Sequence, residues 1–130
     1  MYANNIICLA PVSSLYLFSI RQCNTDLTHT IGKYGFTKDL HRRAREHAKT
    51  FGPRTRLQIH QRIDPLYLRD AENDVRTFFK RNGFCINYKS IMELDLPVGK
   101  ELVIIPCTEM KSVMDEYERI GNVYLKPCQM

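Results

Sequence analysis

A carboxylate interrupts the apolar face of a helix that the sequence predicts between Asp64 and Asn82. That face is formed by residues at helical spacing, namely Leu68, Ala71, Val75, Phe78 and Phe79. Because each helical residue turns by about 100°, Glu72 falls in the middle of the face, between Leu68 and Val75. A buried charge without a partner is costly, so Glu72 must pair with an arginine, accept hydrogen bonds, become neutral or bind a cation. A salt bridge is the ordinary solution, and a metal site is the chemically active one.

Arg43 and His47 form a second unusual pair, on a helix predicted from Lys38 to Thr50 with Thr37 as its N-cap. The apolar stripe of this helix consists of Leu40, Ala44, His47, Ala48 and Phe51. Arg43 lies one turn before His47 at the edge of that stripe, so the two side chains should be neighbours. Taken singly, such a histidine is usually a core residue and such an arginine is usually surface charge.

Two tyrosines lie in the strands predicted before this helix. Tyr16 is in the run from Ser14 to Ile20, and Tyr34 is in the run from Ile31 to Thr37, which should return beside the first as a hairpin. Packing and β-propensity explain either tyrosine alone. Together with an arginine and a buried glutamate, however, a tyrosine supplies the parts that phosphodiester cleavage needs: a base, a clamp on phosphate and a metal site.

The remaining elements complete a layered fold. A third strand is predicted from Arg54 to Ile63, a short helix or extended piece near Tyr88 to Leu94, a turn from Pro97 to Gly99, and a strand from Glu101 to Pro106. Asp64 should cap the Glu72 helix, with Pro65 in its first turn and Gly83 after its end. Thr108 should cap the last helix, which carries Val113, Met114, Tyr117 and Ile120 and ends at Gly121.

This order predicts an α/β domain of the α+β layered kind, with a small mixed or antiparallel sheet of three or four strands flanked by helices. The chain of 130 residues leaves room for one domain and one core. A membrane span is not expected, since the apolar run from Ile6 to Val12 is too short for one. The five cysteines are widely spaced and odd in number, which favours free thiols inside a cell.

Positive charge is concentrated in one part of the sequence. The net charge is +5, and a dozen residues around the first helix hold much of it, with more arginines immediately after. The residues expected to contact a polyanion are Lys38, Arg42, Arg45, Lys49, Arg54 and Arg56. This distribution favours a polyanionic partner such as nucleic acid.

The segment YGFTKDLHRRAREH, from Tyr34 to His47, resembles the GIY-YIG nuclease superfamily, in which a strand ends in glycine and a helix follows with arginine and histidine one turn apart. Ser14 to Tyr16 stand in the place of GIY, and Lys33 to Gly35 in the place of YIG. The segment DAENDVRTFF around Glu72 is similar to the helix that supplies the family's metal-binding glutamate. The resemblance covers residues 14–83, with residues 84–130 as a strand–helix extension, and is closest to the versions found in large DNA viruses and phages.

The resemblance implies a role for each matching residue. Tyr16 would be the general base or position the attacking water, and Arg43 would stabilise charge on the phosphate, with His47 in support. Glu72 would bind one divalent cation, Mg²⁺ or Mn²⁺. The protein would then be a metal-dependent endonuclease that cuts or nicks DNA, found in the cytoplasm or nucleus of an infected host or in the virion.

Two departures from the family pattern leave other functions open. Ser14 replaces the first glycine, and Lys33 stands where the second tyrosine is expected. Tyr34 cannot take that place without a register shift, because neighbouring strand residues point to opposite faces. Lys33 could instead hold phosphate or assist proton transfer. One alternative is therefore a non-cutting protein that binds nucleic acid or joins a viral assembly, with any sequence preference supplied by a partner protein. Another is a structural protein in which Glu72 pairs with a core arginine such as Arg43.

Overall fold

A computed structural model gives the structure of the protein over residues 13–22, 28–93 and 101–124. Within these ranges lie four strands, β1 (Ser14–Gln22), β2 (His29–Thr37), β3 (Arg56–Arg62) and β4 (Leu102–Pro106). The same ranges contain four α-helices, α1 (Leu40–Phe51), α2 (Leu68–Arg81), α3 (Tyr88–Glu93) and α4 (Met110–Tyr124). The strands form one antiparallel sheet in the order β3-β1-β2-β4, which confirms the predicted α+β layered class.

The main core lies on the face of the sheet that α2 and α4 cover. Leu15 and Leu17 of β1 and Tyr34 of β2 point to this face and pack in one buried cluster with residues of both helices. Strand side chains alternate, so an inward residue on β1 must be followed by one on the opposite face. The helix residues of this cluster that are fully buried include Val75, Phe79, Tyr117 and Ile120.

The opposite face of the sheet carries Tyr16 and Phe18 on β1, paired across the ladder with Gly35 and Lys33 on β2. Helix α1 packs on this face, and its His47 ring contacts both aromatic rings at centroid distances of 5.5 and 5.1 Å. A smaller buried cluster of Ile20, Ile31, Ile91 and Leu102 continues the packing toward α3. The predicted site residues Tyr16, Lys33 and His47 therefore share one side of the sheet.

The start of α1 differs from its predicted position. Asp39 is the N-cap, since its carboxylate accepts a hydrogen bond from the Arg42 backbone N–H at 3.1 Å. Thr37, the predicted cap, is the last residue of β2, and its hydroxyl instead contacts the backbone of Asp39. Both residue types cap helices well, and the strand pairing of Thr37 with Ser14 decides between them.

The end of α4 also differs. The prediction that Gly121 ends the helix is wrong, because the helix continues to Tyr124. Gly121 is instead buried against the side chain of Gln61, where an added Cβ would clash. Thr108 lies within a short 3-10 turn before the helix, and Met114, predicted to be apolar-facing, is 54% exposed.

Other element ends shift by one or two residues. β1 and β2 are each two residues longer than predicted at the hairpin, and β3 and β4 are shorter. Helix α2 is preceded by a 3-10 turn, Pro65–Tyr67, in which the Asp64 carboxylate accepts from the Leu66 N–H at 3.0 Å. The run from Ile6 to Val12 and the turn from Pro97 to Gly99 lie outside the described residues. Within the described part of the chain, Cys85 is a free thiol, and none of the helices has the length and apolar character needed to cross a membrane.

Candidate active site

Tyr16 and His47 form a buried polar pair at the centre of the α1 face. The Tyr16 hydroxyl lies 3.1 Å from Nε2 of His47, and the two side chains are only 1% and 7% exposed. Burial raises the pKa of Tyr16 to about 12, although the neighbouring Arg43 charge opposes the rise. Burial, reinforced by the Lys33 and Arg43 charges, lowers the pKa of His47 to about 4. Both groups are therefore neutral at pH 7, in contact through a hydrogen bond.

Gly35 lies directly across the ladder from Tyr16. A Cβ placed on Gly35 would come within 2.7 Å of the Tyr16 hydroxyl oxygen, closer than real side chains approach. A residue without a side chain is thus required for the tyrosine ring to lie over β2. This explains in physical terms why a strand glycine accompanies a strand tyrosine in this sequence.

Arg43 borders the Tyr16–His47 pair from one side. Its side chain is 39% exposed, and its Nε lies 3.1 Å from the Glu46 carboxylate. Its charge lowers the pKa of both Tyr16 and His47. A cavity of about 320 Å³ opens here, between the end of β2 and the first turns of α1, and Arg42, Arg43 and Glu46 line it. A positive group at the rim of an open cavity is suited to hold an anion.

Glu72 is buried, as its place on the apolar face predicts, and it is paired. Its carboxylate lies 3.0 Å from the Arg76 guanidinium, one turn further along α2. Desolvation by burial raises its pKa, Arg76 opposes the rise, and the neighbouring Glu101 carboxylate adds to it. The partner considered from the sequence, Arg43, pairs with Glu46 instead. Arg76 thus supplies the counter-charge that the buried Glu72 carboxylate requires.

Glu101 connects the two faces of the sheet. One of its carboxylate oxygens lies 2.7 Å from Nζ of Lys33, and the other lies 3.6 Å from Arg76. Partial burial alone would raise its pKa, but hydrogen bonds from Lys33 and Glu72 and the nearby positive charges lower it below the usual range. Its backbone has a φ of 65°, a left-handed conformation that residues with side chains rarely adopt. Such a conformation is often kept where function needs it.

Tyr34 lies on the face opposite to Lys33, as the alternation of strand side chains requires. Its ring packs against Phe79 at a centroid distance of 5.0 Å, in the main core. Burial raises the pKa of its hydroxyl, and the adjacent Arg76 partly offsets this. Tyr34 therefore does not occupy the position of Lys33. Its hydroxyl lies beside Arg76, on the face of the sheet that α2 covers.

The sequence predicted five site residues, and the structure joins them through separate contacts: Tyr16 to His47, Arg43 to Glu46, Lys33 to Glu101 and Glu72 to Arg76. The charges of Arg43, Glu101 and Glu72 all act on the Tyr16 hydroxyl, and those of Lys33, Arg43 and Glu101 act on His47. All three positively charged side chains are engaged by acids, Lys33 by Glu101, Arg76 by Glu72 and Arg43 by Glu46. The arrangement combines a neutral hydrogen-bonded pair, a rim arginine and two adjoining carboxyl groups.

Glu72 and Glu101 carry the carboxylate oxygens that a divalent cation would need as ligands. Among the described residues, no group of three or more histidine, cysteine, aspartate or glutamate side chains is arranged around a common point. Mg²⁺, however, commonly takes only one or two carboxylates and completes its shell with water and substrate oxygens. Desolvation by burial raises the pKa of Glu72, and repulsion from the Glu101 carboxylate adds to the rise. Among the described residues, two carboxylates are therefore the most that this place offers a cation, and both already pair with cationic side chains, Glu72 with Arg76 and Glu101 with Lys33.

The predicted nucleic-acid-binding residues lie on the outside of the domain. All six are exposed along α1 and at the start of β3: Lys38, Arg42, Arg45, Lys49, Arg54 and Arg56. Arg42 pairs with Glu46 at 3.3 Å, and Arg56 donates to the backbone oxygen of Pro53 at 2.9 Å. The outer surface of α1 thus presents positive charge beside the Arg43 cavity.

Sequence reasoning did not identify Arg76 or Glu101. Arg76 had a detectable signal, because an acid followed four residues later by a base is a standard helix pair, and Glu72 and Arg76 have that spacing. Glu101 had none, since only the antiparallel pairing of β4 with β2 brings it beside Lys33.

Comparisons with known proteins give one short similarity. A stretch of 54 residues is 44% identical to part of an uncharacterized protein of Acanthamoeba polyphaga mimivirus. It represents 38% of this chain and 9% of the viral protein, so the chain corresponds to a small part of that relative. No protein-family model matches the sequence, and no solved structure is matched.

Proposed function

We propose that the protein is a GIY-YIG-type endonuclease that cleaves or nicks DNA with the help of a divalent metal ion. The observation that carries the proposal is the buried hydrogen bond between Tyr16 and His47, with the Arg43 charge acting on both groups. These residues come from β1 and α1, and the resemblance gives each of them a role in phosphodiester cleavage, while Glu72 on α2 would supply the metal site. The exposed basic surface of α1 would guide a polyanion to the Arg43 cavity.

The Tyr16–His47 pair would accept the proton that the attacking water loses. With a pKa of about 4, His47 is neutral at pH 7, and in the tautomer with a bare Nε2 it accepts the Tyr16 hydroxyl proton. The Tyr16 oxygen is then able to accept a hydrogen bond from water. Tyr16, with a pKa of about 12, orients that water and passes a proton to His47 rather than acting as a free phenolate.

Arg43 and Glu72 would act on the phosphate from two sides. The Arg43 guanidinium, at the rim of its cavity, binds the phosphate oxygens and stabilises the charge that develops on them. Glu72 would hold the cation with one carboxylate oxygen. A cation held there would supply Lewis-acid polarisation of the scissile phosphate and charge compensation for the departing oxygen. The Lys33–Glu101 contact would keep the second carboxylate in position beside it.

Nicking of a supercoiled plasmid tests the proposal. The purified protein with Mg²⁺ or Mn²⁺ should convert supercoiled DNA to open circles, and Glu72→Gln should abolish the conversion. Glu118→Gln is the matched control, since Glu118 is an exposed glutamate on α4 beside a different cavity. Wild-type protein that leaves the plasmid intact with both metals, just as Glu72→Gln does, would remove the endonuclease proposal.

A second candidate function has its own supporting observation. Glu72 and Glu101 are engaged by Arg76 and Lys33, so both carboxylates already have counter-charges without a metal ion. A protein that binds nucleic acid without cutting it would be stable in this closed arrangement. The similarity to a stretch of a mimivirus protein is compatible with either role in a virus-infected cell or in a virion.

Binding in the presence of a chelator separates the two candidates. The non-cutting protein should bind DNA with EDTA present, and the affinity should fall steeply with salt as phosphate contacts release counterions. Replacing Arg42 and Arg45 together by glutamine should weaken that binding, whereas replacing Lys111, an exposed lysine of α4, should not. Tight complexes without plasmid nicking would select the binding role.

A further inference from the structure

Arg76 lies between the two carboxyl groups of the candidate site. Its Nη2 atom is 3.0 Å from Oε1 of Glu72 and 3.6 Å from Oε2 of Glu101. A divalent ion that binds both acids contacts the same carboxyl groups, at about 2.1 Å in the case of Mg²⁺. A positively charged group of the protein therefore already occupies the place that such an ion would take.

Charge makes the two occupants exclude one another. Glu72 and Glu101 are already balanced by Arg76 and Lys33, so an added divalent ion would leave two positive charges without a counter-charge. The side chain of Glu72 is only 10% exposed, and partly buried charges repel one another more strongly than charges in water. Metal binding at Glu72 therefore requires a positive side chain to leave.

Arg76 is better placed to leave than Lys33. The Lys33 ammonium lies 2.7 Å from Glu101, and its side chain is 15% exposed, whereas the side chain of Arg76 is 32% exposed. The second terminal nitrogen of Arg76, Nη1, donates to the side chain of the exposed Asn73 at 3.0 Å. The guanidinium thus keeps a partner on the solvent side when its contact with Glu72 breaks.

Space for the displaced guanidinium lies next to it. A cavity of about 520 Å³ opens between α2 and the start of β4, and Arg76 and Tyr34 are among the residues that line it. A water molecule takes about 30 Å³ in the liquid, so the cavity is large enough to receive a guanidinium. The long arginine side chain has many rotamers and can reach this space while the backbone of α2 stays in place.

We infer that Arg76 is an internal cation that holds Glu72 closed to divalent metal, and that Mg²⁺ or Mn²⁺ binds there only when the guanidinium turns away. The Arg76–Glu72 contact is then autoinhibitory. The inference rests on the proposed metal-dependent function and deepens it, because it names the side chain that regulates metal binding at the same site. The expected consequence is a weak metal affinity in the wild type, limited by the competing arginine.

Isothermal titration calorimetry of the full chain with MnCl₂ tests the inference. Arg76→Gln should bind Mn²⁺ about 10-fold more tightly than the wild type, since the competing charge is gone. Adding Glu72→Gln to that variant should remove the gain. Arg119→Gln is the matched control, because it also removes an arginine paired with a glutamate, Glu116 on α4. It should leave the Mn²⁺ affinity at the wild-type value.

Two further measurements allow for a loss of stability in Arg76→Gln. Mn²⁺ should raise the melting temperature of this variant by more than that of the wild type, since tighter binding stabilises the folded state more. In the wild type, nitrogen NMR of the arginine side chains at high Mg²⁺ concentration should show a shift of the Arg76 Nε signal and none for Arg119. An Arg76 signal that does not move would overturn the inference even if the variant does not fold.

The outcomes distinguish the inference from the function it rests on. Equal Mn²⁺ affinities of the wild type and Arg76→Gln would overturn the inference, and plasmid nicking by that wild type would leave the proposed function standing. Tighter Mn²⁺ binding by Arg76→Gln, with no nicking by either protein, would support the competition and end the proposal of cleavage. Absence of Mn²⁺ binding in both proteins would overturn the inference and remove the metal from the proposed function.

Discussion

Tyr16 and Gly35 face each other across the central ladder, with no room between the tyrosine hydroxyl and a side chain at position 35. The contact links the two tripeptide segments that the sequence analysis singled out, SLY and KYG. It also fixes the hydroxyl where His47 can bond it at 3.1 Å. The glycine is thus a requirement of the site's geometry and not only of strand formation.

Gly35→Ala should therefore destabilise the protein by about 1–3 kcal/mol, the usual cost of forcing an extra carbon into a packed place. The added Cβ would lie 2.7 Å from the Tyr16 hydroxyl oxygen and 3.0 Å from Cζ, so the ring must move and the bond to His47 must lengthen. Urea denaturation measures the loss. In a Tyr16→Phe background the same substitution should cost less, because the closest atom is gone; an equal cost in both backgrounds would contradict this account.

His47 should make the stability of the protein depend on pH. Its pKa is about 4 in the folded protein and about 6.5 when unfolded, so the unfolded chain binds more protons between these values. Stability is therefore complete above about pH 6.5 and is lost as the pH falls toward 4. The loss from this group between pH 7 and pH 5 is about 2 kcal/mol by linkage.

Urea denaturation at pH 7 and pH 5 checks the His47 prediction, with His47→Gln as the comparison. The variant should lack this part of the pH dependence, although it will be less stable overall through loss of ring contacts with Phe18 and Phe51. A proton NMR titration of the wild type should show the His47 ring still neutral at pH 5. A midpoint near 6.5 for that ring would refute the proposed neutral Tyr16–His47 pair.

Tyr117 ties the C-terminal helix to the strand that carries Tyr16. Its hydroxyl, fully buried, donates to the Tyr16 backbone oxygen at 2.9 Å. Tyr117→Phe keeps the ring and removes only this bond, so the stability should fall by about 1 kcal/mol. Tyr67→Phe, at a half-exposed position, is the control and should have little effect. Equal melting temperatures for Tyr117→Phe and wild type would show that the bond contributes nothing.

The sequence predicted those parts of the fold that depend on local patterns. Apolar spacing located all four described strands and the long helices, and one carboxylate out of place on α2 led to Glu72. Element ends were less predictable, because two good capping residues, Thr37 and Asp39, stand two positions apart, and only the pairing with β1 selects between them. The prediction that Gly121 ends α4 was wrong for a similar reason. A glycine that ends a helix and a glycine that makes room for a neighbouring side chain look the same in a sequence.

The sequence predicted those site residues that interrupt the apolar face of a helix. Glu72 and His47 are polar residues on apolar faces, and both are buried as expected. Glu101 breaks no pattern, since a charged residue before an apolar strand is common. It joins the site through β4 pairing with β2, which is a contact between residues 68 positions apart along the chain. Long-range pairing of this kind cannot be read from spacing alone.

The Glu72–Arg76 contact should be worth more than an ordinary pair on a helix surface. Arg76→Met would leave the Glu72 carboxylate, 8% exposed, beside Glu101 without its guanidinium, and the stability should fall by about 2 kcal/mol. Glu72→Gln in the same protein should recover part of that loss, giving a coupling energy of about 1 kcal/mol in a double-mutant cycle. Chemical denaturation of the four proteins supplies the numbers.

The exposed pair Lys111–Asp115, with the same spacing on α4, is the matched control for that cycle. Its coupling should stay within about 0.5 kcal/mol, since water and salt screen charges at the surface. If the two cycles give the same coupling, Glu72 is not held by a desolvated ion pair. The carboxylate would then be open to a cation without competition from Arg76, and the pKa-lowering effect of that arginine would be contradicted.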